Sequence, residues 1–220
     1  MKKILIFFTL ASGLCFQAFT FEGERGSAFG IDFGNFFEIY SRDGEVNSYL
    51  GSPGINLSSY DFSGEGDVGF FVNAALIGLP VFHSTTNNFQ GSRLRLQTGL
   101  IAGVATRRTL SDRLSMLQGI GINIMLHGFD RADVLPEYGN VFHFTINYDF
   151  GIGADIEFKY RIGERLFLRW GGVLTIDFLR IREAGIETPG GKELESNTGL
   201  VRGFVMFGAR PYLSLGSILF

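Results

Sequence analysis

From Phe142 to Tyr160 the chain alternates without a break. The even positions read Phe, Phe, Ile, Tyr, Phe, Ile, Ala, Ile, Phe, Tyr, and the odd ones His, Thr, Asn, Asp, Gly, Gly, Asp, Glu, Lys. A period of two puts these sets on opposite faces of a β-strand. One face is hydrocarbon and the other carries charge. The same rhythm, less pure, marks seven further segments: Gly26–Tyr40, Ser52–Phe62, Val68–Leu79, Arg93–Ala105, Leu114–His127, Arg165–Leu179 and Thr198–Phe220. In the last, the parity slips near Pro211, where a β-bulge is expected because proline cannot donate to the ladder.

The eight strands leave connections of two kinds. Short ones follow the second, fourth and sixth strands, at 63–67, 107–113 and 161–164. Longer ones follow the first, third, fifth and seventh, at 41–51, 80–92, 128–141 and 181–197. Long and short alternate strictly, as in an antiparallel sheet that runs up and down with one end more elaborate than the other.

Alternation alone suits a soluble sheet as well as a membrane one. Three features decide for the membrane. Several strands exceed the five or six residues usual in soluble sheets, and about nine to eleven tilted residues cross a bilayer. The apolar face is rich in Phe, Ile and Leu, whereas the opposite face mixes Gly, Thr and Asn with charges of both signs. In lipid, the apolar face turns outward and the polar face lines the interior. Finally, residues 1–20 have the layout of a secretory signal peptide: Lys2 and Lys3, an uncharged run from Ile4 to Phe16, and small residues at Ala18 and Thr20. That run is too short to span as a helix. Because the backbone in lipid must satisfy its own hydrogen bonds, the sheet is expected to close. The expected fold is therefore an all-β, eight-stranded antiparallel up-and-down transmembrane β-barrel over residues 21–220.

Composition adds two points. The 31 glycines among 220 residues are about twice the usual share, which suits an interior short of space. The only cysteine, Cys15, lies in the signal segment, so the mature chain carries no disulfide framework. Loss of Lys2 and Lys3 moves the formal charge from −3 to −5, an acidity that argues against a nucleic-acid partner.

The chain resembles the small eight-stranded outer-membrane barrels of the OmpA, OmpX and OmpW type, and more closely the small outer-membrane proteins of spirochaetes. The resemblance rests on the signal segment, the eight strands, the rhythm of connections and the C-terminal run from Pro211 to Phe220. It implies location in the outer membrane of a diderm bacterium. It also implies contact with outer-membrane lipid, short turns in the periplasm and long loops outside. Barrels of this kind end in an aromatic residue on an alternating strand that the assembly machinery reads. Tyr212, Ile218 and Phe220 match that signal, and Ser214 and Gly216 depart from it.

The polar faces bring together Asp32, Glu38, Asp149, Asp155, Glu157 and Asp177 with Arg93, Arg95, Lys159, Arg169 and Arg202, and with Arg210 if the register holds. An eight-stranded barrel has an interior just wide enough to be filled by side chains. These groups are expected to form a neutralising lumen network, because an unpaired buried charge is costly. His83, His127 and His143 fall near the outer rim, but their spacing matches no metal motif. Neither a catalytic constellation nor a cofactor site is expected, and the chain reads as a non-enzyme. Loops 41–51, 80–92, 128–141 and 181–197 are the candidate ligand-bearing segments. The leading expectation is a structural or surface-interaction barrel. The alternative is a narrow channel or transporter for small hydrophobic molecules.

Overall fold

The computed structural model describes residues 23–40, 46–63, 67–78 and 93–219. Residues 1–22, which include the expected signal segment, residues 41–45, 64–66 and 79–92 with His83, and Phe220 lie outside the described residues. The described chain forms nine strand segments: β1 (Gly23–Tyr40), β2 (Val46–Ser63), β3 (Val68–Gly78), β4 (Arg93–Thr109), β5 (Leu114–Leu135), β6 (Gly139–Arg161), β7 (Leu166–Glu187), β8 (Glu193–Val201) and β9 (Phe204–Leu219). From β1 to β7 each strand pairs with the next, all antiparallel, and β9 closes the ring between β7 and β1. β8 and β9 both pair with β7, one above the other. They are one eighth strand interrupted at Arg202-Gly203, where Gly203 takes a φ of 70° that most side chains resist. The described residues thus form an eight-stranded closed barrel.

The expected facing holds in the wall. On β6, Gly151, Gly153, Asp155, Glu157 and Lys159 are buried, while Ile152, Ile156 and Tyr160 are exposed. The outward set continues around the ring with Phe29 and Ile31 on β1, Phe70 on β3, Ile120 and Ile122 on β5, Leu174 and Ile176 on β7, and Leu213 and Leu215 on β9. Ile122 is 66% exposed, a state that water would penalise and acyl chains do not. Near the short turns Phe158 and Trp170 stack at 5.8 Å beside Tyr160, the aromatic placement favoured at a bilayer edge.

Two expectations need correcting. Where they are described, the long outer connections are mostly strand. β5 runs on to Leu135 and β6 begins at Gly139, leaving a three-residue turn closed by Tyr138 N–H on Leu135 C=O at 3.2 Å. Gly139 supplies the left-handed residue that such a turn requires, at φ 69°. Similarly, β7 reaches Glu187 and β8 starts at Glu193, so segment 181–197 is a hairpin. In segment 41–51, residues 46–51 already belong to β2. The reason is physical. Beyond the lipid nothing requires a greasy face, so alternation fades while the hydrogen-bond ladder continues.

Pro211 also carries no bulge. It faces outward between buried Arg210 and Tyr212, and the β7–β9 and β1–β9 registers run past it unshifted. The irregularity lies higher, at Arg202-Gly203 and at a bulge on β7, where Phe178 and Leu179 together oppose Phe150. On the same strand Tyr212 turns into the lumen. Ser214 and Gly216 share its inward face, and Gly216 is where the Phe167 ring packs: a Cβ there would come within 2.3 Å of it. The backbone of Ile218 pairs with Gly26, and its side chain is outside the described set.

Candidate functional site

Inward-facing residues fill the described lumen from the short-turn end upward. At that end Phe62, Tyr60, Phe167, Leu117 and Ala105 form an apolar plug. Lys159 lies on it, donating to the Tyr60 hydroxyl at 2.9 Å and sitting 4.8 Å from the Tyr60 ring and 5.5 Å from that of Phe167. Arg107 covers Phe62 from the turn side at 5.0 Å. Aromatic faces attract such cations, so the plug and its basic cover hold each other in place.

Above the plug comes a polar layer. Arg169 pairs with Glu157 and donates to the Ser58 hydroxyl. The Tyr212 hydroxyl lies 2.7 Å from Asp155 and 2.8 Å from Glu157, so its single proton serves one carboxylate at a time. Asn73 donates to Asp155 at 3.0 Å and accepts from Asn56 at 2.8 Å. The space left among these groups is about 10 Å³, enough for one water molecule at most. Higher still, Arg210 reaches across toward Gly99 with Asp32 at 3.7 Å, and Asn123 donates to Asp177 at 2.7 Å. A side chain at Gly99 would press on that guanidinium, at 3.1 Å from its nearest nitrogen.

The top layer centres on Arg180, which is 1% exposed. It grips Asp149 with two hydrogen bonds, at 2.5 and 2.8 Å, and lies 4.3 Å over the Phe204 ring. His127 is buried beside the same carboxylate at 3.4 Å.

The structure therefore places Asp32, Asp149, Asp155, Glu157, Lys159, Arg169 and Asp177 on the inner face, with Arg210 among them. Arg202 is a correction: it is exposed, at the interruption between β8 and β9. The position anticipated for it is taken by Arg180. Strict alternation puts Arg180 on the lipid side. The bulge at Phe178-Leu179 reverses the parity above it, and the sequence signal was there in two adjacent large apolar residues followed by a charge. Glu38, Arg93 and Arg95 occupy β1 and β4, but their side chains are outside the described set. The asparagine–tyrosine linkage through Asn56, Asn73 and Tyr212 carried no sequence signal, because polar neutral residues alternate inward for many reasons.

Above the lumen, β5, β6, β7 and β8 continue as a four-stranded sheet. Its pairs extend to Leu135↔Gly139, Phe142↔Glu187 and Glu187↔Glu193. His143 lies on it, 3.2 Å from Asp133. His127 and His143 are thus in different places, one in the lumen and one on the outer sheet. Among the described residues no group of three or more His, Cys, Asp or Glu side chains is arranged to hold a metal ion.

A closed ring of eight strands, apolar outside and charged within, defines a transmembrane β-barrel. No protein-family model and no curated protein matches the sequence. Solved structures do match the fold. A major outer membrane protein of Thermus thermophilus aligns over 88% of this chain and 99% of its own, with a TM-score of 0.56 at 10% identity. The outer membrane protein AlkL aligns over 92% of this chain and 93% of its own, with a TM-score of 0.53 at 12% identity. The attachment invasion locus protein Ail of Yersinia pestis aligns over 90% of this chain and 99% of its own, with a TM-score of 0.48 at 10% identity. For the Thermus thermophilus protein and AlkL, at these identities, the likeness is one of fold.

Proposed function

We propose that this chain is an outer-membrane barrel of a diderm bacterium whose lumen is a structural core and whose working surface is the outer sheet. The observation that carries this reading is the contrast between the two regions. The described lumen is stoppered by Phe62, Phe167 and Tyr60 and crossed by a hydrogen-bonded polar layer above them. The sheet of β5–β8, in contrast, stands clear of the barrel. β6 alone has 23 residues, about twice what a bilayer crossing requires. Strand backbone held so far beyond the membrane serves presentation rather than passage. The role is therefore structural or surface-interacting, as a scaffold for contacts outside the cell. Planar-bilayer recording of the purified barrel tests it. The expected trace stays at the baseline across the voltage range. A steady unitary conductance would show a transport path and overturn the reading.

A further inference from the structure

The mouth of the barrel at the short-turn end is a pocket of about 220 Å³. Its walls carry Arg107, Arg113, Lys159 and Arg161, with the hydroxyls of Thr109 and Ser115 between them. Its floor is the aromatic plug: Lys159 rests on Tyr60 and Phe167, and Arg107 on Phe62. Arg161 and Arg113 are brought side by side by the bond from Arg161 N–H to Arg113 C=O, at 2.7 Å. Both are exposed, and no ion pair with a carboxylate among the described residues engages either. Asp112 is the one acid among the lining residues.

We propose that this vestibule binds a phosphate-bearing group presented from the periplasmic side, where short turns of such barrels face. The two exposed guanidiniums of Arg113 and Arg161, backed by the basic side chains on the plug, favour a multiply charged oxyanion over a lone carboxylate. Guanidinium forks match phosphate oxygens in pairs, and hydroxyls complete the set. The volume is below that of drug-sized pockets and suits a headgroup or a pyrophosphate. Because the floor is sealed, the site retains its ligand rather than passing it on.

Pyrophosphate titrated calorimetrically into the barrel in uncharged detergent tests this. Saturable binding is expected. In the Arg113→Gln/Arg161→Gln variant, with its fold checked by heat-shifted gel migration, it weakens about tenfold for each guanidinium removed. Arg108→Gln, one residue from Arg107 but on the opposite face of β4, binds as the parent does. Repeating the titration in phosphatidylcholine bilayers, with and without phosphatidylglycerol, identifies the source. Competition by the anionic lipid assigns the site to a headgroup, and its absence to a soluble phosphate. No saturable binding, or equal weakening by Arg108→Gln, overturns the proposal.

Discussion

Arg180 shows what a single side chain costs and supports inside the barrel. Its guanidinium is buried against Asp149 with two short hydrogen bonds, and removing one partner leaves a charge with no adequate solvation. Asp149→Ala is expected to destabilise the barrel by about 3–5 kcal/mol, read by urea unfolding in lipid vesicles with Trp170 fluorescence. The double change Asp149→Leu/Arg180→Met, which removes both charges, should recover most of that loss. A second residue-scale prediction concerns Asp133, which stands outside the membrane. The Val134 N–H donates to its carboxylate at 2.8 Å and holds its pKa below the usual 3.8, with His143 and Arg131 adding to the effect. A lowered folded-state pKa means stability that is present above the unfolded value and lost as pH falls through the folded one. Amide protection at the β5–β6 tip, measured against the intrinsic exchange rate at each pH, should therefore fall as the solution is acidified below about pH 4, and Asp133→Asn should abolish that acid step. Most inward charges of β6 and β7 were legible from parity alone, because each strand there meets lipid on one side. Arg180 and Arg202 were not, because a bulge and an interruption change the parity between them. Tyr212 shares the crowded inner face that its neighbours Ser214 and Gly216 mark.

At the scale of elements, the wall was readable and the outer sheet was not. The eight strands follow from greasy faces, and greasy faces exist only where lipid does. Above it the ladder continues through Arg131, Asp133, Arg182 and Glu183 without any apolar rhythm to announce it. The β7 bulge makes a sharp prediction for this level. Phe178 and Leu179 both face out against a single Phe150. Deleting Leu179 lets β7 run regularly with Asp177 inward, Phe178 outward and Arg180 inward again. Deleting Thr175 instead forces everything on one side of the gap to exchange faces, since a one-residue slip inverts a strand. Cysteine-scanning accessibility to a membrane-impermeant reagent, with heat-shifted migration as the folding check, should show the first variant folded with parental facing. The second should fail to form the barrel.

For the whole molecule, the layers divide the work. The outer wall meets acyl chains, the axis is filled from the aromatic plug to the Arg180 layer, and the sheet beyond carries the surface. The fold class, the strand number and the inside-out distribution of charge were all present in the pattern of the chain, because solvent sorts residues by face before any specific contact forms. The plug was not. Nothing in alternation distinguishes an inward Phe62 or Phe167 from a bulge residue, and only their convergence across the ring gives them a role.

The seam between β1 and β9 has a consequence for how this protein comes to exist. The first strand can find its last neighbour only after nearly every other residue has been made. Until then the exported chain has two raw borders, each a row of backbone donors and acceptors able to recruit any passing strand. Folding therefore cannot proceed piecemeal behind the translocation channel. The cell must carry an unfinished ribbon across the periplasm and zip it shut in one act, at the membrane.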